Sequence, residues 1–260
     1  MQPYTEDFYN FIDDTALRSA KEIVPLVIKL IQPKRVVDVG CGLGTWLSVF
    51  QEYGVDDILG IDGDYIDVRM LKIPQQCFLP YNLVKPLKIE QDFDLVISLE
   101  VAEHLPKENS EQFVDTLVSL GPAILFSAAV PYQPGKCHVN GQWPDYWISH
   151  FHQRGYTVFD CLRMKLWQNK NVEWWYSQNM FFFVKESCLD KYPLLKQEID
   201  NSDMTPPSLV HPYLYLLQQD TYQALQEKLE PNHISQVWSL FMFVLKTFVK
   251  KKMSETFPKK

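Results

Sequence analysis

The chain has 260 residues, of which 46% are hydrophobic and 14% aromatic, and it carries a formal charge of −7. That length suits one α/β domain with additions, or two small domains, and the apolar share is enough for a substantial core. The acidic balance argues against a broad basic face, so an extended electrostatic grip on nucleic acid is not expected.

Five cysteines, Cys41, Cys77, Cys137, Cys161 and Cys188, are odd in number and irregularly spaced, with no CxxC pair. They read as free thiols in a reducing cytosol rather than as a zinc framework. The opening "MQPYTEDFYN" has neither the basic nor the apolar region of a secretory signal, which fits a cytoplasmic location.

Residues 10–31 read as helical, with apolar positions at Leu17, Ile23, Leu26, Val27, Leu30 and Ile31. Pro25 is expected to kink or split this helix, and Pro33 to end it. Strands and helices then alternate: "RVVDVG", a helix over 45–53, "DILGID", "CFLPYN", "FDLVISLE", a helix over 107–120, and "AILFSAAV". Short apolar strands between helices predict a mostly parallel sheet covered on both faces. After Val130 comes a Pro- and Gly-rich loop, "PYQPGKCHVNGQWP", then a helix, "PDYWISHFHQRG", closed by Gly155. Two runs, "YTVFDCLRMKLW" and "WWYSQNMFFFVKE", flank a short link, "QNKNVE", and predict an antiparallel hairpin at a sheet edge. From Ser187 onward the pattern is helical, broken by "TPP".

The stretch "VVDVGCGLG" carries the first chemical signal. Glycines between a strand and a helix let the backbone turn sharply and let a ligand approach the main chain. The spacing is GxGxG rather than the dinucleotide GxGxxG, with Asp38 two residues before Gly40. A carboxylate there suits a cationic ligand group better than a pyrophosphate. Asp62 ends the second strand, where an acid can accept hydrogen bonds from ribose hydroxyls.

On these residues the sequence resembles the class I S-adenosylmethionine-dependent methyltransferases. "VVDVGCGLG" is similar to their first motif, "GIDGDY" to the second and "FDLVISLEVAEHL" to the fourth. The resemblance implies a Rossmann-like α/β fold: a seven-stranded, mostly parallel sheet with an antiparallel C-terminal hairpin. It places the methyltransferase domain at 1–186, with an N-terminal helical cover over 1–33 and a helical extension over 187–260. It further implies that Asp38, Gly40, Cys41, Gly42 and Gly44 hold the methionine part of S-adenosylmethionine, with Glu100 alongside. Asp62 would hold the ribose, and Gly63, Asp64 and Tyr65 would border the adenine. Asn82, beside Leu83, stands where the family often has an acid that reads the adenine amino group. Methyl transfer from a sulfonium needs no enzyme nucleophile, so Cys41 reads as a small packing residue.

The fourth motif continues as "SLEVAEHLP", placing Glu100, Glu103 and His104 at i, i+3 and i+4. Three readings stand. Two carboxylates and an imidazole, completed by His138 from the loop after the fifth strand, can hold Mg²⁺, Mn²⁺ or Zn²⁺. The pattern is similar to one in small-RNA 3′-end 2′-O-methyltransferases and in some ubiquinone-pathway O-methyltransferases. Alternatively His104 or His138 acts as general base with Glu103 as its neighbour, and no metal is needed. In the third reading the pair only starts the next helix.

Trp143, Tyr146, Trp174 and Trp175 lie among Asn, Gln and Glu, a composition that suits stacking on a sugar or planar acceptor. The 16 residues 234–249 span about 24 Å as a helix, short of a bilayer core. Trp238, Phe241, Phe243 and Phe248, with the lysines up to residue 252, suit either a helix in a membrane interface or one packed on protein. The expected function is methylation of an oxygen on a sugar or glycan intermediate, in the cytoplasm or at the inner membrane face. The rivals are N- or O-methylation of another small molecule, RNA 2′-O-methylation, and a non-catalytic cofactor-binding partner of a glycan-assembly enzyme.

Overall fold

A computed structural model of the chain describes residues 6–201, 208–229, 237–239 and 241–246. Val36, Val37 and Val39 are β-branched and wholly buried, which fits β1 (Arg35–Val39) to the middle of a sheet. The other strands are β2 (Asp57–Asp62), β3 (Phe78–Pro80), β4 (Leu95–Leu99), β5 (Ala123–Ser127), β6 (Tyr156–Phe159) and β7 (Phe181–Lys185). They form one seven-stranded sheet in the order β3-β2-β1-β4-β5-β7-β6. The first five are parallel, whereas β7 runs antiparallel to both β5 and β6. This is the mostly parallel sheet that the alternation predicts.

The chain steps outward from β1 to β3 and returns to the other side of β1 with β4. The carboxyl ends of β1 and β4 therefore flank the point where strand order reverses, the place where open α/β sheets bind ligands.

Each sheet face carries its own core. On one side, α1 (Glu6–Ile31) and α2 (Thr45–Glu52) pack over Val36, Leu95, Ile97 and Leu125. On the other, α3 (Ser110–Leu120) and α4 (Pro144–His152) cover Val37, Val39, Val96, Ile124 and Phe126. Alternate residues of one strand thus enter opposite cores, as the strand period requires.

Three expectations need revision. Pro25 does not split α1, which runs unbroken to Ile31. A proline removes one helical hydrogen bond, and here Ala20, Ile23, Val24 and Val27 are all fully buried around it, so packing outweighs the loss. The predicted hairpin pairs as antiparallel strands, but no short turn joins them. Two helices, α5 (Arg163–Leu166) and α6 (Trp174–Asn179), intervene. Trp174 and Trp175 are therefore helical and do not alternate across a strand. Lastly, the first compact unit extends to His211, and the second comprises Pro212–Lys260. The sequence boundary at 186/187 is too early because Tyr192 and Leu195 are buried in the first core, and α7 (Pro193–Asn201) packs on α1 and β6.

The second unit contains α8 (Pro212–Leu229). The tail segment 234–252 lies largely outside the described residues. No described helix is long and apolar enough to cross a membrane.

Arg163 is the largest fully buried side chain in the first unit. Its guanidinium pairs with Asp160, donates to the Gln178 carbonyl at 3.1 Å, and lies 4.3 Å from the Phe181 ring centre. It ties the C-terminal end of α6 to the strand that follows. Truncating one partner of a buried ion pair leaves the other uncompensated, so Arg163→Ala should cost about 3–5 kcal/mol. Denaturant unfolding monitored by tryptophan fluorescence checks this, and a loss below about 1 kcal/mol contradicts it.

Candidate functional site

The loop after β1 is braced from β2. Gly40 N–H and Cys41 N–H donate to the Ile61 carbonyl at 2.7 and 3.2 Å. Gly42 N–H donates to an Asp62 carboxylate oxygen at 2.7 Å, and Gly63 N–H to the other at 2.6 Å. Gly40 has φ +89°, and a Cβ there would lie 2.3 Å from a Val101 methyl, so this position requires glycine. Gly42, at φ +54°, has nothing within 4 Å of where a Cβ would sit: its face of the loop is open. Gly44 caps α2 at φ +79°.

Asp38 and Asp62 are both buried at this edge. Burial, then the Asp62 charge beside it, pushes the Asp38 carboxyl well above the usual carboxylate range. Two buried carboxylates beside an open glycine loop suit a cationic ligand group. The sulfonium and ammonium of S-adenosylmethionine fit that requirement. Burial, with the charges of Asp38 and Asp62, also pushes the Cys41 thiol well up, which removes it as a nucleophile.

Asp62, the expected ribose acceptor, already serves several donors within the chain. Besides two main-chain N–H groups it accepts from the Tyr65 hydroxyl. Tyr65 is 61% exposed and its ring lies directly over Gly63. Asp64 is exposed next to it. Asn82, expected beside the adenine, uses its side-chain oxygen to accept from Val84 N–H at 3.0 Å, which leaves that oxygen one further lone pair. Leu83 packs against the core on the α3 side of the sheet.

At the end of β4 the predicted helical turn is a short 3-10 turn over Ala102–His104, entered through Glu100 at φ +56°. Glu103 is fully buried, and neither of its carboxylate oxygens has a hydrogen-bond partner in good geometry. Burial, then the Glu100 charge, pushes its carboxyl well up. The Glu103 main-chain carbonyl accepts from Val139 and Asn140 N–H at 2.9 and 3.0 Å, which pins the loop after β5 against this turn. That loop delivers His138. The His138 and His104 rings meet edge to face with centres 5.0 Å apart, and His138 Nε2 lies 4.0 Å from Glu103 Oε1.

His138 Nδ1 is 3.1 Å from the Gln133 carbonyl, so Nδ1 carries the proton and Nε2 keeps a free lone pair. Burial lowers the pKa of both imidazoles, and each histidine is therefore held neutral. The neighbouring Gly135 leaves room for the His138 ring: a Cβ there would lie 2.1 Å from it.

Glu103, His104 and His138 thus converge, with one ligand atom from each within 4.8 Å of the others. Unpartnered carboxylate oxygens beside two neutral imidazoles fit a divalent metal. Glu100, the fourth expected ligand, is not part of this group. Asn179 Nδ2 and Gln133 Nε2 bind its carboxylate at 3.1 and 2.8 Å.

The expected acceptor residues are spread over two helices. Trp143 precedes α4 and is 43% exposed, and Tyr146 stacks edge-on against Trp147 and His150 with the Lys107 ammonium 5.6 Å from its ring centre. Trp175 packs toward the α1–α2 core, and Trp174 lies 6.4 Å from the His211 ring. Sequence reasoning missed Gln133, Tyr176 and Asn179. The polar "SQN" directly before the buried "MFFFV" strand was a legible signal. An antiparallel strand starts at the edge where its parallel neighbours end, and the Phe126–Phe181 register puts Asn179 there.

Residues 11–179 match the family described as "Methyltransferase domain". The chain is 31% identical over 110 residues to a tRNA U34 carboxymethyltransferase of Pseudomonas fluorescens, a match that covers 38% of the chain. It spans about a third (34%) of that curated relative's length. Among solved structures, the methyltransferase domain of bacterial CtHen1 is 18% identical, with a TM-score of 0.48 over 64% of this chain and 98% of that one. Magnesium protoporphyrin IX methyltransferase from Synechocystis PCC 6803, with bound SAH, is 17% identical, with a TM-score of 0.48 over 66% of this chain and 85% of that one.

Proposed function

The chain belongs to the methyltransferase-domain family of S-adenosylmethionine-dependent enzymes, and from this premise we propose that it methylates a hydroxyl oxygen of a sugar or glycan intermediate. The observation that carries the oxygen assignment is the free Nε2 of His138 beside Glu103 and His104, at the same sheet edge as the cofactor loop. The acceptor oxygen attacks the methyl carbon, and sulfur leaves with the bonding pair as a neutral thioether. His138 Nε2 takes the hydroxyl proton as the new bond forms. Much of the rate comes from holding oxygen, carbon and sulfur in line.

Glu103, His104 and His138 also support a metal-assisted reading, with the unpartnered Glu103 oxygens as its specific motivation. A divalent metal held there would lower the pKa of the acceptor hydroxyl. The sugar assignment is supported by the partly exposed Trp143 and by a charge of −7, which disfavours an RNA backbone. Exposed Trp238, Phe241 and Phe243 in the tail support an acceptor carried at a membrane surface.

The test is transfer of labelled methyl from S-adenosylmethionine into cell extracts fractionated into glycan, lipid-linked and RNA pools. Label in the glycan or lipid-linked pool is expected, whereas label confined to RNA rejects the sugar reading. Cofactor binding with no transfer to any pool favours a binding module. Activity that survives EDTA in protein free of metal by elemental analysis removes the metal reading.

A further inference from the structure

In the C-terminal tail, residues 237–239 and 241–246 are helical. At about 100° per residue, Val237, Trp238, Phe241, Met242, Val244 and Leu245 fall on one arc of about 160°. Ser239 and Lys246 lie on the opposite side, and Phe243 is the one large apolar residue there among the described residues. The Trp238 and Phe241 rings meet edge-on at 5.7 Å, as i, i+3 neighbours on one helical face do. All six residues of the arc are exposed, by 41–62%. Single exposed apolar side chains are ordinary. Six large ones on one continuous face mark a surface that meets something other than water.

The neighbouring charge selects the partner. Residues 246–260 hold six lysines against one glutamate, a net +5, so the 245 residues before them carry −12. Three of the six, Lys250, Lys251 and Lys252, directly follow the apolar run. Such a cluster is drawn to a surface of anionic headgroups, whereas the acidic remainder of the chain is repelled by it. A second copy of the chain fits less well. A coiled-coil seam needs only a narrow apolar stripe, and a parallel pair would set two lysine clusters side by side. The run is also too short to span a bilayer, and Lys246 interrupts it.

We propose that the tail docks the protein on an anionic bilayer surface, lying along it with the apolar arc in the headgroup–acyl boundary and the lysines against the headgroup phosphates. A wide face bearing Trp and Phe, backed by lysines, is the pattern of a helix that rests in the interface plane. This goes beyond the methyl-transfer reading and does not depend on it, although a docked enzyme meets membrane-held acceptors by diffusion in two dimensions.

Flotation of the full chain with vesicles tests the proposal, using phosphatidylcholine alone and equal parts of phosphatidylcholine and phosphatidylglycerol. Wild-type protein should float with the anionic vesicles and not with phosphatidylcholine alone, and its binding should weaken as salt is raised. Joint Trp238→Ser and Phe241→Ser substitution should weaken binding about 10²-fold through lost apolar burial, with the melting temperature unchanged because both side chains are exposed. Joint Lys250→Gln, Lys251→Gln and Lys252→Gln substitution should weaken it on the order of 10²-fold and remove most of the salt dependence. Failure of wild type to float with anionic vesicles, or full flotation by either variant, overturns the proposal. Dimerisation in light scattering that the Trp238/Phe241 pair of substitutions abolishes, without flotation, assigns the face to a second copy instead. Methyl transfer in the fractionated extracts without flotation leaves the methyl-transfer reading standing and rejects the docking alone.

Discussion

His138→Ala is expected to lower kcat by about 10²–10⁴-fold while S-adenosylhomocysteine binds with unchanged affinity. The split follows from placement. His138 lies in the loop after β5, hydrogen-bonded through Nδ1 to the Gln133 carbonyl, and Nε2 points to the Glu103–His104 turn. Its polar contacts are to the Gln133 carbonyl and Glu103, not to the glycine loop or Asp62, among the described residues. The pH profile carries a second expectation. A base works when deprotonated, and burial lowers the His138 pKa from its usual value of 6.5. The acid limb of kcat/KM should therefore lie below pH 6.5, with a plateau above it, and His138→Ala should abolish that limb. Full turnover by both His138→Ala and His104→Ala would show that neither imidazole takes the proton. Measuring the metal content of the same preparations separates a lost base from a lost ligand.

Asp62→Ala should weaken S-adenosylhomocysteine binding by about 10–150-fold, the equivalent of one charged hydrogen-bond acceptor at about 1.5–3 kcal/mol. Two effects oppose each other. The variant loses the acceptor expected to meet the ribose and frees the N–H groups of Gly42 and Gly63, which loosens the loop. It also relieves the repulsion that raises the Asp38 pKa, which helps that carboxylate meet a cation. The loss of direct contacts should dominate, because burial and not Asp62 is the larger cause at Asp38. Asn82→Ala is the contrasting control: its side-chain oxygen already serves Val84 N–H in an exposed turn, so a change of only a few-fold is expected. Isothermal titration of the two variants side by side decides it, and equal losses would refute the ranking.

The glycine turn after β1 was readable because its requirements are local. A strand that ends Asp-Val-Gly-Cys-Gly-Leu-Gly must turn sharply, and only glycine tolerates the Val101 methyl that crowds Gly40. Asp62 was legible for the same reason, as an acid at the end of the next strand. The acceptor side was less so. The i, i+3, i+4 spacing of Glu100, Glu103 and His104 predicted one shared helical face. Glu100 is left-handed and lies outside the short turn over Ala102–His104, and its carboxylate accepts from Asn179 and Gln133, which come from elsewhere in the chain. Likewise "QNKNVE" read as a hairpin link, because a window of a few residues cannot show that Arg163, Trp175 and Tyr176 bury themselves as short helices.

By itself, then, the sequence determined the sheet, the order of its strands along the chain and the sharp glycine turn after β1, since strand periodicity and glycine geometry act over a few residues. Only the tertiary structure decided the partners of the two glutamates. Glu103 faces His104 and His138, whereas Glu100 faces amides from after β5 and before β7. Contacts across 33 and 79 residues of chain depend on strand register and on where buried polar groups find donors, and neither is written in local spacing.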